Sequence, residues 1–157
     1  MSPAARAWAL AGGLGALVVG ADQAAKAVVE ANLTTGEQVD VLDPLGLTLS
    51  HNRGVAFGIA GGAGAPLVLV ALVALGAIGY LFSREPTRPG MWVAMGLLAG
   101  GAVGNLIDRI TSDAVTDYVD IGAWPAFNLA DVGITCGVLL LVVLYLRDAE
   151  REDGADG

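Results

Sequence analysis

Four stretches of this chain are long, apolar and almost free of charge, and they restrict its fold more than any other feature. The first runs from Ala7 to Ala21, between Arg6 and Asp22. The second lies between Arg53 and Arg84, with an apolar core from Pro66 to Phe82. The third lies between Arg88 and Asp108, and the fourth runs from about Asn128 to Leu146. A helix needs roughly 20 residues to cross a hydrocarbon core of ~30 Å. The second and third runs meet that length directly. The first and fourth meet it only if their ends include a charged residue, Asp22 in one case and Asp131 in the other. A fold of this kind is an all-α membrane protein, a bundle of four transmembrane helices. Composition agrees, with 55% apolar residues, 15% charged residues and a mean hydropathy of +0.65. That is too little charge to coat a soluble domain, so the excess apolar surface faces lipid.

The net charge of −8 does not argue against this, because the acids are unevenly placed. Asp148, Glu150, Glu152, Asp153 and Asp156 crowd the C-terminus beside Gly154 and Gly157. We read 1–147 as one domain and 148–157 as a solvated, disordered acidic tail. No basic patch suggests a nucleic-acid partner. The single cysteine, Cys136, lies within the fourth run, which excludes an internal disulfide and predicts a packing role. The first run, with Arg6 ahead and Val19-Gly20-Ala21 behind, has the outline of a cleavable secretory signal. Against that, Asp22, Lys26 and Glu30 continue at helical spacing, acid before base, which predicts a persisting helix.

Basic residues set the expected orientation. Arg6, Arg84, Arg88, Arg147 and Arg151 fall on one side of a four-span scheme, and Lys26, Arg53 and Arg109 on or near the other. Both termini are then cytoplasmic, and the connections 28–53 and 110–127 face outward. In the first connection, Val39 and Val41, then Leu45, Leu47 and Leu49, alternate with other residues around Asp43-Pro44-Leu45-Gly46. This predicts a small hairpin at the membrane surface. Gly96, Gly100 and Gly104 line one face of the third run, which predicts close helix packing inside the bundle.

Charge at the edge of a bilayer is costly and needs a reason. Asp108 lies roughly twenty residues into a span starting near Pro89, at its outer end. Asp131 falls about one turn inside the outer end of the fourth span, and Asp117 lies in the connection between them. The three carboxylates therefore converge at one depth. Paired carboxylates in a low-dielectric place tend to share a proton. That is the state in which one carboxylate draws a proton from water while the other protonates a carbonyl.

Simpler roles stay open on spacing alone. Asn128-Leu129-Ala130-Asp131 fits a helix start, with Asn128 as N-cap and Asp131 at the third position. Asp108 next to Arg109 reads first as a local ion pair. Asp117, in a weakly patterned stretch, could be an ordinary loop acid. Other chemistries are poorly supported. His51 is the only histidine, a Ser50–Lys26 dyad has no supporting spacing, and no zinc, redox or phosphate-loop motif is present. Outward acids clustered with His51 could hold a metal, but they lack helical ligand spacing, which weighs against it.

Together these residues resemble the lipoprotein signal peptidase family, over nearly the whole membrane portion. Asp22-Gln23-Ala24-Ala25-Lys26 resembles its D-Q-x-x-K, and Asn52-Arg53-Gly54-Val55-Ala56-Phe57 its N-x-G-x-A-F. Gly104-Asn105-Leu106-Ile107-Asp108-Arg109 with Val115-Thr116-Asp117-Tyr118 resembles G-N-x-x-D-R and V-x-D-[FY]. Phe127-Asn128-Leu129-Ala130-Asp131 resembles F-N-x-A-D. The resemblance implies a multi-pass aspartic endopeptidase of the bacterial cell membrane, with Asp117 and Asp131 as the catalytic dyad. Asn52, Gly54, Asn105, Arg109 and Asn128 would bind substrate or support the dyad, with Asp22, Lys26 and Asp108 as structural support. The substrates implied are diacylglyceryl-modified prolipoproteins, cleaved before the lipidated cysteine at the outer face. Neither a cofactor nor a metal is implied, and we expect a monomer surrounded by membrane lipids.

Two positions depart from the family pattern. Ala25 stands where a small hydroxyl residue is common, and Asp113 where glycine is common. Aspartate tolerates unusual backbone angles better than most residues, so the turn at Asp113 is expected to survive. A small ion or proton transporter is the competing class, but it would place polar groups at mid-membrane, where all four runs are apolar. A structural helper presenting its hairpin leaves the asparagine and aspartate clusters without a task, and a G-x-G-D intramembrane protease motif is absent.

Overall fold

The computed structural model describes residues 1–54 and 64–153. Its elements run α1 (Pro3–Asn32), β1 (Gln38–Leu42), β2 (Leu45–Asn52), α2 (Gly64–Arg84), α3 (Met91–Ser112), β3 (Val115–Asp120) and α4 (Leu129–Asp153). The four helices are each long and apolar enough to cross a membrane. Val55, Ala56 and Phe57, part of the second matched block, lie outside the described residues.

α1 begins on Ser2, whose side chain accepts from Ala5 N at 3.1 Å, with Pro3 in the first turn where its missing N–H costs nothing. It continues well past Ala21, as the Asp22, Lys26 and Glu30 spacing predicted. Asp22 and Lys26 do pair, at 2.7 Å. Glu30 instead accepts from Thr116 Oγ1 at 2.7 Å, so the stack ends with the first two residues.

α3 is the centre of the bundle. Its most apolar window is 61% buried, against 17% or less in the other three spans. The glycine face explains how. A Cβ on Gly96 would stand 2.9 Å from Ala11 O, and one on Gly100 would stand 2.8 Å from Gly15 O, so α1 lies almost backbone to backbone against α3. On the other side, a Cβ on Gly101 would collide with Ala130 O and one on Gly137 would stand 2.9 Å from Ala94 O, which brings in α4. α2 packs more loosely and turns Leu69, Val70, Leu72 and Val73 outward.

The hairpin forms as expected, with Val39 opposite Leu47 and a cis Asp43–Pro44 bond at the turn. It is not alone. β3 adds to β2, pairing Ser50 with Asp117 and His51 with Thr116, to give a three-stranded antiparallel sheet. The expectation of a loop acid at Asp117 is therefore corrected. Val115, Thr116, Asp117 and Tyr118 are all buried, so the strand is covered on both faces and shows no two-residue alternation.

Asp113 ends α3 at φ 56°, the only non-glycine residue with positive φ among those described. The left-handed conformation that glycine favours is kept by aspartate. At the opposite end of the bundle, Arg88 donates to Leu144 O at 2.7 Å, lies 4.3 Å over the Tyr145 ring and pairs with Asp148 and Glu85. This clasps the α2–α3 connection to α4. α4 itself runs to Asp153, so the stretch expected to be disordered from 148 starts as helix. Cys136 is exposed on the outside of the bundle rather than packed within it, which corrects its predicted role.

Candidate active site

α1, α3, β3 and the start of α4 meet at one end of the bundle and bring the family-pattern polar residues together. Asn128 precedes α4, and its Oδ1 accepts from Asp131 N at 2.9 Å. Asp131 Oδ2 in turn accepts from Asn128 N at 3.3 Å, a reciprocal cap of the kind the spacing allowed. Asp131 does more than cap. Its Oδ1 accepts from Asn105 Nδ2 at 2.8 Å, which ties α4 to α3. Capping and a site role coincide in one carboxylate.

Asp117 reaches the same cluster from β3. Its Oδ1 accepts from Asn128 Nδ2 at 2.8 Å, so the two carboxylates share Asn128. Asp117 is 3% exposed, and its pKa is pushed up to about 6. Burial is the main cause, and the neighbouring charge of Asp131 adds to it. Hydrogen bonding by Asn52 and Asn128 and the ammonium of Lys26 act in the opposite direction without cancelling the rise. At the end of β2, Asn52 Oδ1 accepts from Gly54 N at 2.9 Å, and Gly54 has φ 72° with the Leu67 side chain packed where a Cβ would point. The positive φ is what favours glycine there, since the Leu67 methyl is the mobile end of a side chain.

Behind the aspartates lies a buried charge cluster. Lys26 Nζ sits 2.7 Å from Asp22 Oδ2 and 2.7 Å from Asp108 Oδ2. Asp108 is thus paired across helices with Lys26, and the expected local ion pair with Arg109 does not form. The reason is geometric: adjacent residues on a helix point away from one another, whereas Lys26 faces Asp108 across the glycine seam. Asp22 Oδ1 accepts from Ala130 N at 2.9 Å, so α1 also holds an otherwise orphan donor at the start of α4. Arg109 turns back to donate to Asn105 O at 3.1 Å, and its Nε is buried without a partner among the described residues.

Three contributors were not assigned roles from sequence. Gln23 donates to Asp108 Oδ1 at 2.8 Å and to Gly104 O at 3.3 Å. Thr116 N donates to Asp108 Oδ2 at 3.1 Å, and the Tyr118 hydroxyl accepts from Leu129 N at 3.3 Å. Gln23 stands inside the first matched block and could have been found there; the other two depend on β3. Exposed His51 points to no acid of this cluster by any hydrogen bond or ion pair, and Lys26 faces its carboxylates rather than Ser50.

A family model described as Signal peptidase (SPase) II matches residues 14–147. The chain belongs to the signal peptidase II family. A "Lipoprotein signal peptidase" of Syntrophomonas wolfei is 41% identical over 138 residues, covering 87% of this chain and 93% of the relative. One from Rhodococcus jostii is 38% identical over 149 residues, covering 90% and 74%. A solved bacterial membrane enzyme superposes with a TM-score of 0.81 at 31% identity, over 88% of each chain. Signal peptidase II enzymes are aspartic endopeptidases that remove the signal peptide from prolipoproteins. The polar cluster described above falls inside the part of the chain that the family model matches.

Proposed function

We propose that Asp117 and Asp131 are the catalytic pair of this peptidase and that it cleaves diacylglyceryl-modified prolipoproteins before the lipidated cysteine. One observation carries the reading: two carboxylates from different elements converge on one asparagine, Asn128, at the end of an apolar bundle. Their chemistry divides accordingly. Asn105 Nδ2 and Asn128 N each donate to one oxygen of Asp131, which fixes the carboxylate and leaves lone pairs for a water whose proton it takes as general base. The water oxygen attacks the scissile carbonyl carbon, while Asp117, whose burial favours its protonated form, gives its proton to the carbonyl oxygen. Collapse of the tetrahedral species returns that proton to Asp117 and passes the other from Asp131 to the leaving amine. Atoms and charge balance without a further reactant.

The orientation follows from the basic residues: both termini in the cytoplasm and the sheet with the dyad at the outer face of the bacterial cell membrane. A membrane-anchored signal peptide presents its scissile bond at that depth. The exposed Val41, Leu42, Leu45 and Trp124 side chains suit a surface resting on membrane lipid. Arg109, with Asn52 and Gly54, binds the substrate backbone or its lipid headgroup region.

Asp117→Asn and Asp131→Asn test the pair. Each is nearly isosteric and should preserve folding and substrate binding while lowering turnover by about 10⁴-fold or more, with the double variant little worse than either. Substantial turnover of a lipidated prolipoprotein by well-folded Asp131→Asn protein would leave Asp131 as a helix cap only.

A further inference from the structure

Lys26 is 3% exposed, and its ammonium has three N–H groups to place. Three acceptors surround it: Asp22 Oδ2 and Asp108 Oδ2, each at 2.7 Å, and Asn105 Oδ1 at 3.2 Å. The two carboxylates have other donors. Asp22 also receives Ala130 N and Gln23 Nε2, and Asp108 receives Gln23 Nε2 and Thr116 N. Asn105 Oδ1 is differently placed. Its second donor is Asn128 Nδ2, at 3.1 Å, and that group also faces Thr116 O at 3.2 Å and Asp117 Oδ1 at 2.8 Å. Two hydrogens cannot serve three acceptors well, and Asp117 Oδ1 is the nearest. The dependable donor to Asn105 Oδ1 is therefore Lys26.

An asparagine amide has two ends of opposite polarity, so fixing one end fixes the other. With Oδ1 of Asn105 held by an ammonium, its Nδ2 must point the opposite way, where it donates to Asp131 Oδ1 at 2.8 Å. A flip would set an NH₂ against the ammonium and a carbonyl oxygen against the carboxylate. We propose that Lys26 is a positioning residue that fixes the polarity of the Asn105 amide and so keeps an N–H aimed at Asp131. The inference rests on Asp117 and Asp131 being the catalytic pair. Lys26 itself touches no reacting atom; it acts on Asp131 through Asn105.

The test uses the full-length protein in detergent micelles with a lipid-modified prolipoprotein as substrate. Lys26→Met keeps the apolar stem and removes the ammonium. Lys26→Met with Asp22→Asn removes one opposite charge as well, so the cluster keeps its net charge and Asp108 keeps Gln23 and Thr116. Both variants should lose about 10²-fold in kcat, as misplacement of a group at the reacting centre does. KM should change by less than about threefold, because ground-state binding is untouched. Asp22→Asn alone retains the ammonium and should lose less than about tenfold in kcat. A folded double variant with kcat near that of the parent overturns the proposal, as does a loss confined to KM or one equalled by Asp22→Asn. Failure of both Lys26 variants to fold also overturns it, since Lys26 would then be a structural ion. Turnover by Asp117→Asn or Asp131→Asn in the same assay would strike at the dyad instead. An inactive pair beside an active Lys26 double variant removes this inference alone.

Discussion

The Asn128 side-chain amide donates to Asp117 Oδ1 at 2.8 Å while its own Oδ1 receives the backbone N–H of Asp131. A completely buried asparagine is thus helix cap and bridge at once. The two roles separate by substitution. Asn128→Ser keeps a good N-cap but cannot span to Asp117, so kcat should fall by about 10²-fold while stability falls by only about 1 kcal/mol from the lost buried hydrogen bonds. Asn128→Leu loses both and should in addition lose about 1 kcal/mol or more of stability. Near-normal kcat in Asn128→Ser would reduce Asn128 to a cap.

Burial of Asp117 makes stability depend on pH in a definite direction. Its pKa rises from 3.8 to about 6 on folding, so the folded state binds the proton more tightly than the unfolded chain. The resulting contribution is complete below the unfolded value and is lost as pH rises through about 6. Asp117→Asn cannot ionise and escapes this loss. Thermal unfolding should find the variant more stable than the parent at pH 8, with the advantage shrinking towards pH 4. An advantage independent of pH would contradict the assignment.

Among the described residues, the buried Arg109 Nε beside Asn105 has no partner. If it anchors substrate, Arg109→Ala should raise KM with a smaller effect on kcat. A variant that unfolds in detergent without a KM effect would make it a packing residue of α3.

Topology is open to reporter fusions. Insertions at Gly36 and Asp120 should report the outer side and one at Thr87 the cytoplasm, as the basic residues require. A cytoplasmic signal at Gly36 would reverse the scheme and put the proposed dyad on the wrong face for a lipoprotein signal peptide.

The sequence by itself determined the four spans, because crossing a hydrocarbon layer demands a fixed length of apolar helix that can be read off one run at a time. It also determined the hairpin at Asp43-Pro44 and the tight seam at Gly96 and Gly100, both local patterns. Asp131 as helix cap was legible for the same reason, since Asn128 lies three residues away. Only the tertiary structure decided that Asp108 pairs with Lys26 and not with its neighbour Arg109, because that choice depends on which helix faces which across α3. It alone turned the stretch around Asp117 into a strand, since a segment buried on both faces carries no alternation to betray it. Cys136 shows the same limit from the other side: an apolar setting marked it as membrane-embedded, but the packing of α4 against α3 left it facing outward. Local periodicity fixes which residues form an element. The partners a side chain meets are set by long-range packing, which no single segment encodes.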